Sequence, residues 1–243
     1  MIHFEVQGDG PTTLVLTHGW GATAHMWEPQ VDALAHRARV VTWDLRGHGR
    51  SPSPDDASAY SLDIALADLG ELVGDGPVVL GGHSLGGQLS LAFALRHPDR
   101  VSGLALLSTG PGYRDDAARE EWNGGIEGRA RALEKRGMEA LPADDDMHGG
   151  LHTSAQSLAH AIRGFVKQHD ASIMDGVAAI GVPTLVLVGA KDRGFLNAAD
   201  YFERKIPNAT KVVVPDAGHG VNRHQPAAVN QALGSLLDAT ETS

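Results

Sequence analysis

The pentapeptide Gly82-His83-Ser84-Leu85-Gly86 lies between an unbroken apolar run, Pro77-Val78-Val79-Leu80-Gly81, and a helix-forming stretch, Gln88-Leu89-Ser90-Leu91-Ala92-Phe93-Ala94-Leu95. Few local patterns restrict a fold more. A strand that turns within five residues into a helix packed close against it leaves no room for Cβ atoms at the glycines. Such a strained elbow lifts the serine oxygen above the carboxyl end of a sheet. Taken alone the G-x-S-x-G pattern is weak. With 30 Gly and 13 Ser in 243 residues, composition yields about 0.2 chance matches per chain, so the flanking strand and helix must carry the weight.

Short runs rich in Val and Leu recur along the chain with helical patterns between them. They predict strands at 2–7, 12–17, 39–43, 78–81, 104–108, 184–188 and 211–214, and helices at about 26–36, 62–74, 85–97, 196–206 and 225–238. The central runs are continuously apolar, as suits strands covered on both faces by helices. The expected fold is therefore α/β, a doubly wound and mostly parallel sheet. One segment breaks the rhythm. Between 111 and 175 no strand is expected, and the sequence is helical, charged and punctuated by Gly124-Gly125, Pro142 and Gly149-Gly150. That is too long for a loop, so 111–175 is expected to form a small helical cap inserted into a core made of 1–110 and 176–243. The run Asp144-Asp145-Asp146 inside it reads as a solvated turn.

A serine hydroxyl needs a base to become a nucleophile. The candidate is His219, in Pro215-Asp216-Ala217-Gly218-His219-Gly220 after the last predicted strand. The candidate orienting acid is Asp192, in Val188-Gly189-Ala190-Lys191-Asp192 after the preceding one, with Asp216 as its nearest competitor. All three sites fall at carboxyl ends of strands, where open α/β sheets place their chemistry, and in the order Ser, Asp, His. Acyl transfer creates an oxyanion that preorganised N–H groups must meet. The expected donors are the backbone amides of Leu85 and of Trp20, the latter in His18-Gly19-Trp20-Gly21. The Trp20 side chain is expected to contact substrate. Trp122 in the insertion either lines the acyl pocket or anchors the insertion, and His83 reads as packing support. His148 and His152 are spaced i, i+4, but Gly149-Gly150 between them argues against a shared helical face and hence against a metal site.

These motifs, together with Asp44-Leu45-Arg46-Gly47-His48-Gly49-Arg50-Ser51, resemble the α/β-hydrolase family over nearly the whole chain. Within it, the sequence is similar to compact bacterial carboxylesterases, enol-lactonases and related lactone hydrolases. The resemblance implies a serine hydrolase of esters or lactones. With Ser84 rather than an aspartate at the nucleophile position, it argues against dehalogenase and epoxide-hydrolase chemistry.

Composition narrows the alternatives. A net charge of −10 disfavours nucleic acid or anionic membranes as partners, and with no cysteine there is neither thiolate chemistry nor a disulfide. The N-terminal residues read as a strand without a secretory pattern, and no apolar stretch approaches membrane-spanning length, so a cytoplasmic protein is expected. No metal and no cofactor are expected, the partner is a small-molecule ester or lactone, and the sequence leaves oligomeric state open. Three rival readings stay open. They are C–C bond (β-diketone) or thioester hydrolysis on the same triad, a ligand sensor with slow turnover, and a lyase or cofactor-free oxygenase.

Overall fold

A computed structural model describes residues 1–141, 143 and 145–241. The apolar runs become the strands Phe4–Gln7 (β1), Thr12–Thr17 (β2), Ala38–Trp43 (β3), Val78–His83 (β4), Val101–Leu107 (β5), Thr184–Gly189 (β6) and Ala209–Val214 (β7). Among the described residues they form one sheet in the order β1-β3-β2-β4-β5-β6-β7. Every neighbouring pair is parallel except β1, which runs antiparallel to β3. The order reverses between β2 and β4. In a doubly wound sheet the crevice at such a reversal is where a ligand has room to sit, and here it falls between the loop after Thr17 and the turn at Ser84.

Successive strand side chains point to opposite faces, so each central strand feeds two cores. Leu14, Leu16, Val79, Leu107 and Leu187 pack with Trp27 and with helices Glu28–Leu34 (α1) and Pro226–Glu241. Val15, Leu80, Leu104, Leu106 and Val186 pack on the other face against helices Leu62–Val73 (α2), Leu85–Arg96 (α3) and Leu196–Lys205.

Between β5 and β6 lie Asp116–Arg136 (α4), Asp145–His148 (α5), Ala155–Ala161 (α6), which continues as a wider turn through Val166, and Ser172–Gly176 (α7). Leu196–Lys205 is then α8, Val221–His224 α9 and Pro226–Glu241 α10. Because β5 and β6 are parallel neighbours, the α4–α7 segment is the crossover between them. No helix among the described residues is long and apolar enough to cross a membrane.

Four expectations shift. β4 runs on past Gly81 through Gly82 to His83, and β5 starts at Val101; glycine hides a strand from composition, yet here Gly82 pairs with Leu106. The first predicted helix is shorter. Thr23 caps a 3-10 turn over Ala24–Trp27 before α1 begins. Gly124-Gly125 do not interrupt the chain but lie inside α4, which is capped by Asp115 and anchored by buried Ile126, Ala130 and Leu133 at helical spacing. Pro142 and Asp144 lie outside the described residues, and Asp145 of the acidic run opens α5 rather than a turn.

Candidate active site

Ser84 sits between β4 and α3 with φ 52 and ψ −114. A non-glycine residue in that region stores about 1–3 kcal/mol of strain. The surroundings enforce it. The Ser84 N–H donates to Leu107 O at 2.9 Å and the Thr109 hydroxyl donates to Ser84 O at 2.6 Å. A Cβ on Gly82 would lie 2.1 Å from the Gly86 carbonyl carbon, and one on Gly86 would lie 2.1 Å from Thr17 O. Strand, elbow and helix meet backbone to backbone, as the pentapeptide predicted.

His219 and Asp192 come together. His219 Nδ1 and Asp192 Oδ2 are 2.9 Å apart, so Nδ1–H donates to the carboxylate and Nε2 is left with its lone pair. Burial acts to raise the Asp192 carboxyl, but the hydrogen bond and charge of His219 outweigh it and the group stays below the usual carboxylate range. Asp216, the sequence competitor, is exposed and paired with Lys191 at 3.0 Å. The His219 ring stacks on Phe195, centroids 5.0 Å apart, and tilts against His83 at 4.7 Å.

His83 does more than fill space. Its Nε2–H donates to the His219 carbonyl at 2.8 Å and so holds the backbone of the candidate base. Burial lowers its pKa to about 3, keeping the ring neutral. A Cβ on Gly19 would lie 2.7 Å from His83 Nδ1, which explains the glycine there.

The two residues whose amides are expected to meet an oxyanion line the same cavity as Ser84. Leu85 opens α3, where an N–H has no acceptor within the helix. The Trp20 amide is aimed indirectly. Leu45 N–H donates to His18 Nε2 at 2.9 Å, so Nδ1 carries the proton and donates to Gly19 O at 2.6 Å. In a planar trans peptide the Trp20 N–H must point the opposite way from that carbonyl. Burial holds the His18 pKa at about 4, so this neutral relay persists at ordinary pH. The sequence placed His18 in the motif but held no sign of its role, which depends on Leu45, far along the chain. Asp44 is likewise structural. Its Oδ1 accepts from Ala24 N–H at 2.7 Å and its Oδ2 from Arg50 N–H at 2.9 Å, tying the Asp44–Ser51 turn to the segment after Trp20. His148 and His152 face each other at 5.4 Å, yet each Nδ1 already accepts a backbone N–H, from Gly150 and Gly49 respectively.

A cavity of about 1130 Å³ opens over Ser84, His219 and Trp20 and runs beneath α4. Gly125 and Gly128 line it, and a Cβ at either would meet nothing within 4 Å. Glycine inside a helix costs about 1 kcal/mol relative to alanine; here it relieves no clash and leaves the cavity wide. Trp122 lines the same space and donates from Nε1 to Val166 O at 3.2 Å, so it is both wall and tether. Trp122→Ala should therefore change kcat/KM unequally among acyl chains, by about 1–3 kcal/mol for those that reach it, with an acetyl ester affected least. Uniform ratios with a lowered melting temperature would make it a tether only.

Residues 12–171 match the model of the alpha/beta hydrolase fold family, and the chain belongs to that family. It is 29% identical over 262 residues to (E)-2-((N-methylformamido)methylene)succinate hydrolase of Acinetobacter baylyi, covering 98% of this chain and 94% of that one. It is 29% identical over 246 residues to the pimeloyl-acyl-carrier-protein methyl ester esterase of Nitrosomonas europaea, covering 90% and 92%. The crystal structure of the enol-lactonase from Burkholderia xenovorans superposes with a TM-score of 0.81 at 26% identity, over 98% of this chain and 96% of that one. The protein is a hydrolase.

Proposed function

We propose that the protein hydrolyses a small-molecule carboxylic ester or lactone through an acyl-enzyme on Ser84, with no cofactor. The observation that carries this reading is the His219–Asp192 hydrogen bond of 2.9 Å beside the strained elbow. Ser84 Oγ attacks the carbonyl carbon as its proton passes to His219 Nε2. Asp192 holds the imidazole in the required tautomer and stabilises its cation. The oxyanion rests on the Trp20 and Leu85 amides. His219 then gives its proton to the leaving alkoxide, and the acyl group stays on Ser84. A water molecule, deprotonated by His219, attacks the acyl carbon. The carboxylic acid leaves and Ser84 recovers its proton. With a lactone, alcohol and acid leave as one hydroxy acid. The 111–175 segment acts as the cap that roofs the acyl cavity.

Substrate charge follows from the lining. Arg129 and Arg136, on one face of α4, both border the cavity, and no described carboxylate pairs with either. Arg114, Arg119, Arg131 and Arg163 of the same segment are all in ion pairs. The acidic side chain lining the cavity, Asp192, is engaged by His219. In a chain of net charge −10, these two arginines at a cavity wall, with Arg204 of α8 also lining it, favour a substrate with an anionic far end. The Acinetobacter relative is named for hydrolysis of a substituted succinate, an anionic compound, which points the same way. Replacing both arginines with alanine should raise KM for an ester bearing a terminal carboxylate about tenfold, roughly 1.4 kcal/mol, and leave its neutral analogue unchanged. Equal effects on both esters would remove the charge argument.

The reading is tested by a panel of activated esters, lactones, thioesters and β-diketones, with intact-mass analysis during turnover. An acyl mass on the Ser84 peptide from ester or lactone is the expected result. Turnover confined to β-diketones or thioesters, or a single turnover that then stalls, would transfer the site to one of the rival readings.

A further inference from the structure

The loop carrying the Trp20 amide is held from two sides. From the core, Leu45 and His18 fix the Gly19 carbonyl. From the cap come four further hydrogen bonds. His152 Nε2–H donates to Gly21 O at 2.9 Å, and Trp20 Nε1–H donates to Leu158 O at 3.1 Å. Thr23 N–H donates to Met147 O at 3.0 Å, and the Thr23 hydroxyl donates to His148 O at 3.2 Å.

His152 is the centre of this arrangement. Its Nδ1 accepts the Gly49 N–H at 3.1 Å, which fixes the proton on Nε2 and directs it to Gly21. One neutral imidazole thus joins the cap, the turn after β3 and the loop after β2. Burial holds its pKa below the ordinary histidine value, with His148 acting in the same direction and Asp44 and the Gly21 bond opposing. Gly21 itself sits at φ 77. A glycine so placed does little to hold its own conformation; within the loop Ala22 N–H donates to Gly19 O at 3.1 Å, while the bonds to Gly21 O, the Thr23 N–H and the Trp20 ring come from the cap.

We propose that His152 is a positioning residue for the oxyanion hole: docking of the cap through His152 sets the Gly19–Thr23 loop, and full hydrolytic competence requires the docked cap. The inference rests on Trp20 acting as an oxyanion donor. It differs from a role in the acyl pocket because it makes the cap matter to substrates that never touch it.

The test compares His152→Ala and His152→Gln with the native enzyme on an acetyl ester too small to reach the cap and on a longer acyl ester. His152→Ala should lower kcat by about tenfold or more on both, within the 10²–10³ ceiling for losing a whole oxyanion donor, with little change in KM. The Gln amide can again donate to Gly21 O, so His152→Gln should recover most of the loss. Hydrogen exchange over residues 19–23, read by mass spectrometry, should quicken in the Ala variant and return toward native in the Gln variant. A loss confined to the longer ester would make His152 a pocket wall and overturn the proposal. So would faster exchange at 147–158 with none at 19–23. Faster exchange at 19–23 in a protein that hydrolyses no ester would sink the ester-hydrolase reading and still support the coupling. Should His152→Ala not fold, Trp20→Phe, which cuts the bond to Leu158, must quicken exchange at 19–23; an unchanged rate there would equally overturn the coupling.

Discussion

Ser84→Ala should lose ester hydrolysis by several orders of magnitude, about 10⁴–10⁶ in kcat, with the fold intact. The side chain removed is one hydroxyl at the elbow, and the bonds that hold the turn run through the Ser84 backbone to Leu107 and Thr109. Circular dichroism and melting temperature should accordingly stay near native. Residual catalysis would come from the Trp20 and Leu85 amides and from substrate positioning. A fluorophosphonate should add one equivalent of mass to the native protein, on the Ser84 peptide, and none to the variant. Retention of full activity in Ser84→Ala would end the acyl-enzyme reading, whatever the labelling result.

Asp192→Asn should lower kcat by about 10⁴. The carboxylate accepts the Nδ1 proton of His219 at 2.9 Å. An amide placed there can present N–H to Nδ1 and so stabilise the tautomer whose Nε2 is protonated and cannot act as base. Asp216→Asn should stay within a few fold of native, since that carboxylate is exposed and pairs with Lys191. KM should move little in either variant. A large loss in Asp216→Asn with near-native Asp192→Asn would reverse the assignment of the acid.

The strand-end positions of the candidates Ser84, Asp192 and His219 were legible because each follows an apolar run, buried throughout in β4 and β6 and partly exposed in β7, and strand ends are what hydrophobic patterning marks best. The long helical crossover from β5 to β6 was legible for the converse reason: no such run occurs between Leu107 and Thr184. What escaped the sequence depends on contacts between distant segments. His83 looks like filler until its Nε2 is found on the His219 carbonyl, 136 residues away. His18 gains a role only from Leu45, and His152 only from Gly21 and Gly49. The Gly124-Gly125 pair misled because propensity penalises helical glycine, whereas α4 is held by Ile126, Ala130 and Leu133 on its buried side.

The placement of the α4–α7 segment as the crossover from β5 to β6 has a consequence for how this scaffold can change. The two strands pair directly, Leu104 opposite Thr184 onward, with the whole segment outside that ladder. Doubling such a connection costs only about 0.6 kcal/mol of closure entropy, so a segment with the roofing role proposed above is open to grafting with a longer, shorter or differently charged one. The tolerance ends at Trp20, Gly21 and Thr23. On the proposed coupling, a transplanted roof that filled the space perfectly but offered no partners to those three residues would inherit the pocket of its donor and leave the Trp20 amide beneath it unset.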